Sequence, residues 1–160
     1  MTPEQIADWK KWLQSNGPYL RGLMIDYFND LERQIELFIT VFFFGDPNLE
    51  FNFKPVILER MSFENKRSAF ESLLKKLNKS DLKLIQEINS LKKVRNKFAH
   101  GGLVIPWNPN DNIITLSSSR DEHNLIGYSE KQYRIFIDRM VAATSTIKQM
   151  WRDLYQTKKH

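Results

Sequence analysis

Arg95, Asn96 and His100 lie together in the stretch Arg95-Asn96-Lys97-Phe98-Ala99-His100-Gly101-Gly102. An imidazole exchanges protons near neutral pH, while a guanidinium keeps its charge and forks onto phosphate or carboxylate oxygens. Side by side, the two types serve proton transfer next to an anion. Asn96 stands one helical turn before His100, close enough to share its hydrogen bonds. Arg95 and His100 also have plainer uses. A histidine at a helix C-terminus is favoured by the macrodipole, and Arg95 can lay its stem along apolar surface or pair with a core carboxylate such as Glu32 or Glu36.

Other chemistries are poorly supplied. Cysteine is absent, which removes disulfides and thiolate nucleophiles. His100, His123 and His160 are scattered, none at helical spacing from a second ligand, so neither a metal nor another cofactor is expected. The net charge of +5 is unevenly spread: residues 60–100 hold 11 Lys/Arg against 4 Asp/Glu, whereas residues 1–59 hold 5 against 9. Concentrated positive charge suits a polyanion such as nucleic acid, with Lys92, Lys93 and Lys97 nearest the motif. Lysine-rich helices also serve solubility alone. Met1 to Gln14 carries Asp8, Lys10 and Lys11 where a secretion signal needs an apolar centre. The longest apolar run, Leu37 to Phe44, is far short of a membrane span. The expectation is a soluble, cytoplasmic protein with no membrane partner.

The elements that must position the motif follow from periodicity. A chain of 160 residues without repeats fits one domain, residues 1–160, with a core needing no staples. Pro3 opens a short helix with Ile6, Trp9 and Leu13 on one face, and Asn16-Gly17-Pro18 is read as its stop. A second helix runs from about Tyr19 to Phe44, its core stripe being Met24, Phe28, Leu31, Ile35, Phe38 and Phe42. Gly45-Asp46-Pro47 breaks it into a loop with a short turn at Val56 to Met61. Ser62 caps a third helix, through Leu77, that buries Phe63, Phe70, Leu74 and Leu77. Ser80 is read as the cap of the fourth, which ends at Gly101, a C-terminal glycine. The last starts at Ser129 with Gln132 completing a capping box, and carries Tyr133, Phe136, Met140, Ile147, Trp151 and Leu154. Between these two, Leu103-Val104-Ile105 and Ile113-Ile114-Thr115-Leu116 flank Pro106-Trp107-Asn108-Pro109-Asn110-Asp111-Asn112, which reads as a small β-hairpin or a long surface loop. The fold class is all-α: a bundle of about five helices with that hairpin or loop between the last two.

On the fourth helix, a turn of about 100° per residue puts Leu84, Ile88, Leu91, Val94 and Phe98 in one stripe, with Arg95 among them. Gln86, Asn89, Lys93, Asn96 and His100 run along the opposite side. Arg95 and His100 are then about 140° apart, so one ideal helix does not aim them at the same point. Burying an unpaired guanidinium is costly, so Arg95 calls for an anion, a set of carbonyls or a subunit interface.

Arginine followed by asparagine, then three residues, then Ala-His-Gly at a helix end resembles the R-x4-H motif of the HEPN superfamily. The setting is similar too: a small helical domain, a preceding segment Ser62-Phe63-Glu64-Asn65-Lys66, and one long helix after the motif. The likeness extends over about Tyr19 to Tyr155. It implies a HEPN-like bundle and a metal-independent endoribonuclease, a homodimer whose two motif helices face each other across a cleft. By position, His100 would exchange a proton with the 2′-hydroxyl or the leaving 5′-oxygen, Arg95 would bind the scissile phosphate, and Asn96 would orient either. The products implied are a 2′,3′-cyclic phosphate and a 5′-hydroxyl. Ribose brings its own nucleophile, so metal, cysteine and a carboxylate pair are all dispensable, and Lys92, Lys93 and Lys97 would draw in flanking phosphates.

In the toxin branch paired with nucleotidyltransferase antitoxins, a tyrosine often stands two residues after the histidine. Gly102 occupies that position here, which removes silencing through that side chain but leaves room for an antitoxin or regulatory protein, in a toxin or phage-defence role. Some members of the superfamily are non-catalytic, and a nucleotide- or RNA-binding, regulatory or dimerisation module is the alternative. A third possibility is an unrelated helical interaction protein with Trp9, Trp12 and Trp107 as anchors.

Overall fold

The computed structural model of the chain describes residues 2–104, 114–118 and 121–159. Among them are five α-helices and one small sheet: α1 (Pro3–Phe44), α2 (Glu50–Val56), α3 (Phe63–Lys76), α4 (Leu82–His100), strands β1 (Gly102–Leu103), β2 (Ile114–Ser118) and β3 (Asp121–Tyr128), and α5 (Glu130–Lys159). Two 3-10 turns, Pro47–Leu49 and Leu58–Arg60, flank α2. The fold is helical, with its strands confined between the last two helices. No helix among the described residues is long and apolar enough to cross a membrane.

The chain gathers into two compact units, neither of them a continuous stretch: Met1–Phe28 with Ser90–Arg139, and Asn29–Asn89 with Met140–His160. In the second, Leu31, Ile35, Phe38, Phe70, Leu74, Ile88, Met140 and Ile147 are buried almost completely, and the rings of Phe38 and Phe70 meet edge to face at 4.9 Å. Most of the periodic stripe residues read from the sequence lie on these core faces, but Phe42, Phe63, Leu77 and Trp151 are only half-buried. Lys66 is also buried there, its Nζ 2.6 Å from a Glu32 oxygen and 2.5 Å from Glu36 Oε1, while Lys54 reaches the other Glu36 oxygen at 3.0 Å. Burial alone would lower the Lys66 pKa, but hydrogen bonds to Glu32 and Glu36 outweigh it and hold the ammonium above its ordinary value.

The first unit combines the start of α1, the end of α4, the sheet and the start of α5. Its core holds Met24, Phe28, Leu91, Val94, Phe98, Ile114, Leu116, Tyr128 and Tyr133. Phe98 is the centre of an aromatic cluster, 5.0 Å from Tyr128 and 6.0 Å from Tyr133 between ring centroids. The sheet is antiparallel in the order β1-β2-β3, with Leu103 opposite Leu116 and Ile114 opposite Tyr128.

Three expectations need correcting. Pro18 does not end a helix: α1, 42 residues long in all, runs on through it to Phe44. A proline inside a helix costs about 3 kcal/mol, whereas each large side chain fully buried beyond it returns roughly 1.5–3 kcal/mol, and Met24 and Phe28 are two such residues. Just before the proline, Ser15 and Asn16 turn their side chains back to the carbonyls of Lys11 and Trp12, both at 3.0 Å. Second, α2 stands where a loop was read. The prolines at 47 and 55 masked it, yet Phe53 packs its ring 4.9 Å from Phe44 and Lys54 is anchored on Glu36. Third, α4 is capped by Asp81 instead of Ser80, its Oδ1 accepting from the Leu84 amide at 2.9 Å. A carboxylate suits the positive end of the helix dipole better than a hydroxyl does.

The hairpin forms through β1 and β2, and β3 extends it to three strands. Ser62 accepts from the Asn65 amide as the cap of α3, and the Ser129–Gln132 box is closed in both directions, at 2.9 and 3.2 Å. The expectations for the side chains of Ile6, Trp9, Leu13 and His123, for the turn at 105–113 with Trp107, and for His160 lie outside what the structure describes.

Candidate functional site

All six residues singled out by sequence fall on α4, and they do not share one environment. Val94 and Phe98 are buried on the inner face and His100, Lys93 and Lys97 are exposed; Arg95, Asn96 and Lys92 lie between. Arg95 turns along the inner side. Its Nη1 donates to Asn96 Oδ1 at 3.1 Å, and its Cζ sits 5.3 Å from the centroid of the Phe28 ring on α1. The guanidinium is thus held by a cation–π contact and one neutral acceptor. Its Nε is buried and has no hydrogen-bond partner among the described residues. The carboxylates the sequence offered it, Glu32 and Glu36, are taken by Lys66.

Asn96 is oriented by the same bond. With Oδ1 occupied by Arg95, its amide nitrogen is the free end of the side chain, a donor one turn from His100. No hydrogen bond among the described residues joins His100 to Arg95 or Asn96. Within the single chain Arg95 and Asn96 meet, while His100, at the helix end, is bonded to neither.

That end is tightly built. The last carbonyls of an α-helix lack intrahelical donors. Here the Gly101 amide closes onto Lys97 O at 2.8 Å, and Arg21 of α1 sends Nη2 to Ala99 O at 2.5 Å. Gly101 is buried against the sheet, where a Cβ would lie 2.6 Å from Lys97 O and 2.9 Å from Ser117 O, so only glycine fits after His100. The chain passes directly into β1, and Val104 N donates to Thr115 O at 3.0 Å.

Sequence reading missed Arg21 and Phe28 as partners of the motif. Seven residues apart, they lie within about 20° of each other on α1, and they meet Ala99 and Arg95, one turn apart on α4. A signal was present: Arg21 falls on the face of Met24 and Phe28, an arginine among core residues just as Arg95 is.

The positive charge of residues 60–100 is also less uniform than its count implies. Lys66 is buried with Glu32 and Glu36, Arg67 bridges Glu64 and Glu71, and Lys75 pairs with Glu71. The exposed lysines beside the motif are Lys93 and Lys97.

A separate cavity of about 540 Å³ opens between the start of α1 and the start of α5, walled by Trp12, Leu23, Tyr27, Tyr133 and Ile137. None of the motif residues lines it. Comparison of the chain with family models, with curated proteins and with solved structures gave no match in any of the three.

Proposed function

We propose that the chain is a metal-independent endoribonuclease of HEPN type that cuts RNA as a homodimer, leaving 2′,3′-cyclic phosphate and 5′-hydroxyl ends. The observation that carries this is the state of Arg95: a guanidinium with a buried, unbonded Nε, propped on Phe28 and Asn96, five residues before an exposed imidazole on the same helix. Such a cation is prepared for an anion, and a phosphodiester provides one. In the reaction, the 2′-oxygen bonds to phosphorus as its proton passes to a base, and the P–O5′ bond breaks as the departing oxygen takes a proton. An imidazole suits both transfers at neutral pH, and His100 is the one on this helix. Arg95 stabilises charge growing on the phosphoryl oxygens, with the Asn96 amide as a second donor. Lys92, Lys93 and Lys97 add attraction for flanking phosphates.

Because no hydrogen bond joins Arg95 to His100 among the described residues, the active arrangement in this reading brings the arginine of one protomer to the histidine of its partner across a two-fold axis. Regulation by an antitoxin or other protein, in a toxin or phage-defence setting, belongs to the same proposal. The separation of His100 from Arg95 favours one other reading, a non-catalytic RNA- or nucleotide-binding dimerisation module.

The deciding experiment incubates purified protein with RNA in excess EDTA and analyses the new ends. Cleavage to cyclic phosphate that disappears in folded His100→Ala and Arg95→Ala variants supports the nuclease. Binding without cleavage supports the module, and wild-type rates in His100→Ala remove that residue from the mechanism.

A further inference from the structure

We infer that Arg21 is a positioning residue of the R-x4-H site: it acts through the Ala99 carbonyl to fix the last turn of α4 and so the placement of His100. This rests on the nuclease reading for its catalytic consequence, but the geometry stands by itself. His100 is the final residue of α4, the place where helices fray, and the carbonyls of that turn have no donor in the helix ladder. Gly101 closes the Lys97 carbonyl from the chain itself. The Ala99 carbonyl, adjacent to His100, is closed from outside by Arg21 at 2.5 Å, across 78 residues of sequence.

The bond is half of a clamp. One face of α1 presents Phe28 beneath the Arg95 guanidinium and, two turns earlier, Arg21 at the Ala99 carbonyl. Both ends of the motif are thereby referred to a single helix, in which Met24, between them, is fully buried. A guanidinium at a helix C-terminus also complements the dipole, so the contact is charge-assisted. Misplacing a reacting group by about an ångström can cost on the order of a hundredfold in rate, which makes the end of this helix the place where a positioning contact matters most.

The test compares wild type with Arg21→Ala and Arg21→Lys, reading kcat and KM for RNA cleavage in EDTA together with amide exchange and the imidazole signals of His100 by NMR. For Arg21→Ala, kcat should fall roughly ten- to a hundredfold with KM nearly unchanged, and the His100 and Gly101 amides should exchange faster while those of α3 do not. Arg21→Lys, which retains a cationic donor, should recover part of both. Unaltered exchange and ring signals at His100 in Arg21→Ala would overturn the assignment, as would a rise in KM with kcat intact, the mark of a residue that merely binds RNA. If wild type does not cleave RNA, the nuclease reading fails, and the NMR comparison alone decides whether Arg21 holds His100.

Discussion

At the scale of single residues, the motif depends on neighbours as much as on its own side chains. Gly101→Ala would press a methyl group against the Lys97 and Ser117 carbonyls, backbone atoms that cannot swing away. A loss of about 1–3 kcal/mol is expected in denaturant unfolding, together with a displaced His100. Tyr133 provides a test by pH. Burial, with a smaller contribution from Tyr19 and Tyr27, pushes its phenol up to about 12, while its hydroxyl donates to Leu20 O at 2.6 Å. The folded chain then holds that proton more tightly than the unfolded one. The associated stability is complete below about pH 10 and is lost as pH rises toward 12. Tyr128, raised by burial, and Lys66, raised by its carboxylates, act in the same direction. Thermal stability should therefore fall above about pH 10, and Tyr133→Phe, though less stable at neutral pH by about 1 kcal/mol, should show a shallower alkaline decline. Parallel curves for the two proteins would exclude a contribution from this phenol.

At the scale of elements, the chain is most sensitive to losing one partner where charge is buried. Removing Lys66 leaves Glu36, only 3 % exposed, with Lys54 as its remaining ion-pair partner at 3.0 Å. Lys66→Ala is expected to cost about 3–5 kcal/mol, readable as a drop in the midpoint of urea unfolding, whereas Lys75→Ala on the exposed side of α3 should change little. The same contrast governs what was legible in the sequence. Ser62 with Asn65, and Ser129 with Gln132, are contacts within four residues, and local pattern finds them. The apolar stripes of α1, α4 and α5 were legible because burial repeats with the helical period. The course of α1 through Pro18 was not, because a local stop signal was outweighed by packing contributed from distant parts of the chain. Asp81 was passed over for its neighbour because either residue type makes an acceptable cap. Of the candidate site, Arg95, Asn96 and His100 were readable as a pattern, but Arg21 and Phe28 join it only in three dimensions.

At the scale of the whole molecule, the proposed dimer makes a numerical claim. If each cleft takes Arg95 from one protomer and His100 from the other, a dimer of one Arg95→Ala and one His100→Ala chain retains one intact cleft. An equal mixture, half of whose dimers are mixed, should recover about a quarter of wild-type cleavage from two inactive parents. No recovery, with subunit exchange verified, would place both residues in the same protomer's site. The interleaving of the two units carries a consequence for synthesis. A nascent chain of residues 1–89 has produced neither unit in full, since the first waits for residues 90–139 and the second for 140–160. By the time the first unit is complete at residue 139, residues 29–89 of the second have already emerged, unlike in chains whose domains follow one another. The motif at 95–100 emerges before the start of α5 that completes its unit, so the proposed cleavage would wait for residues 130–139 to emerge.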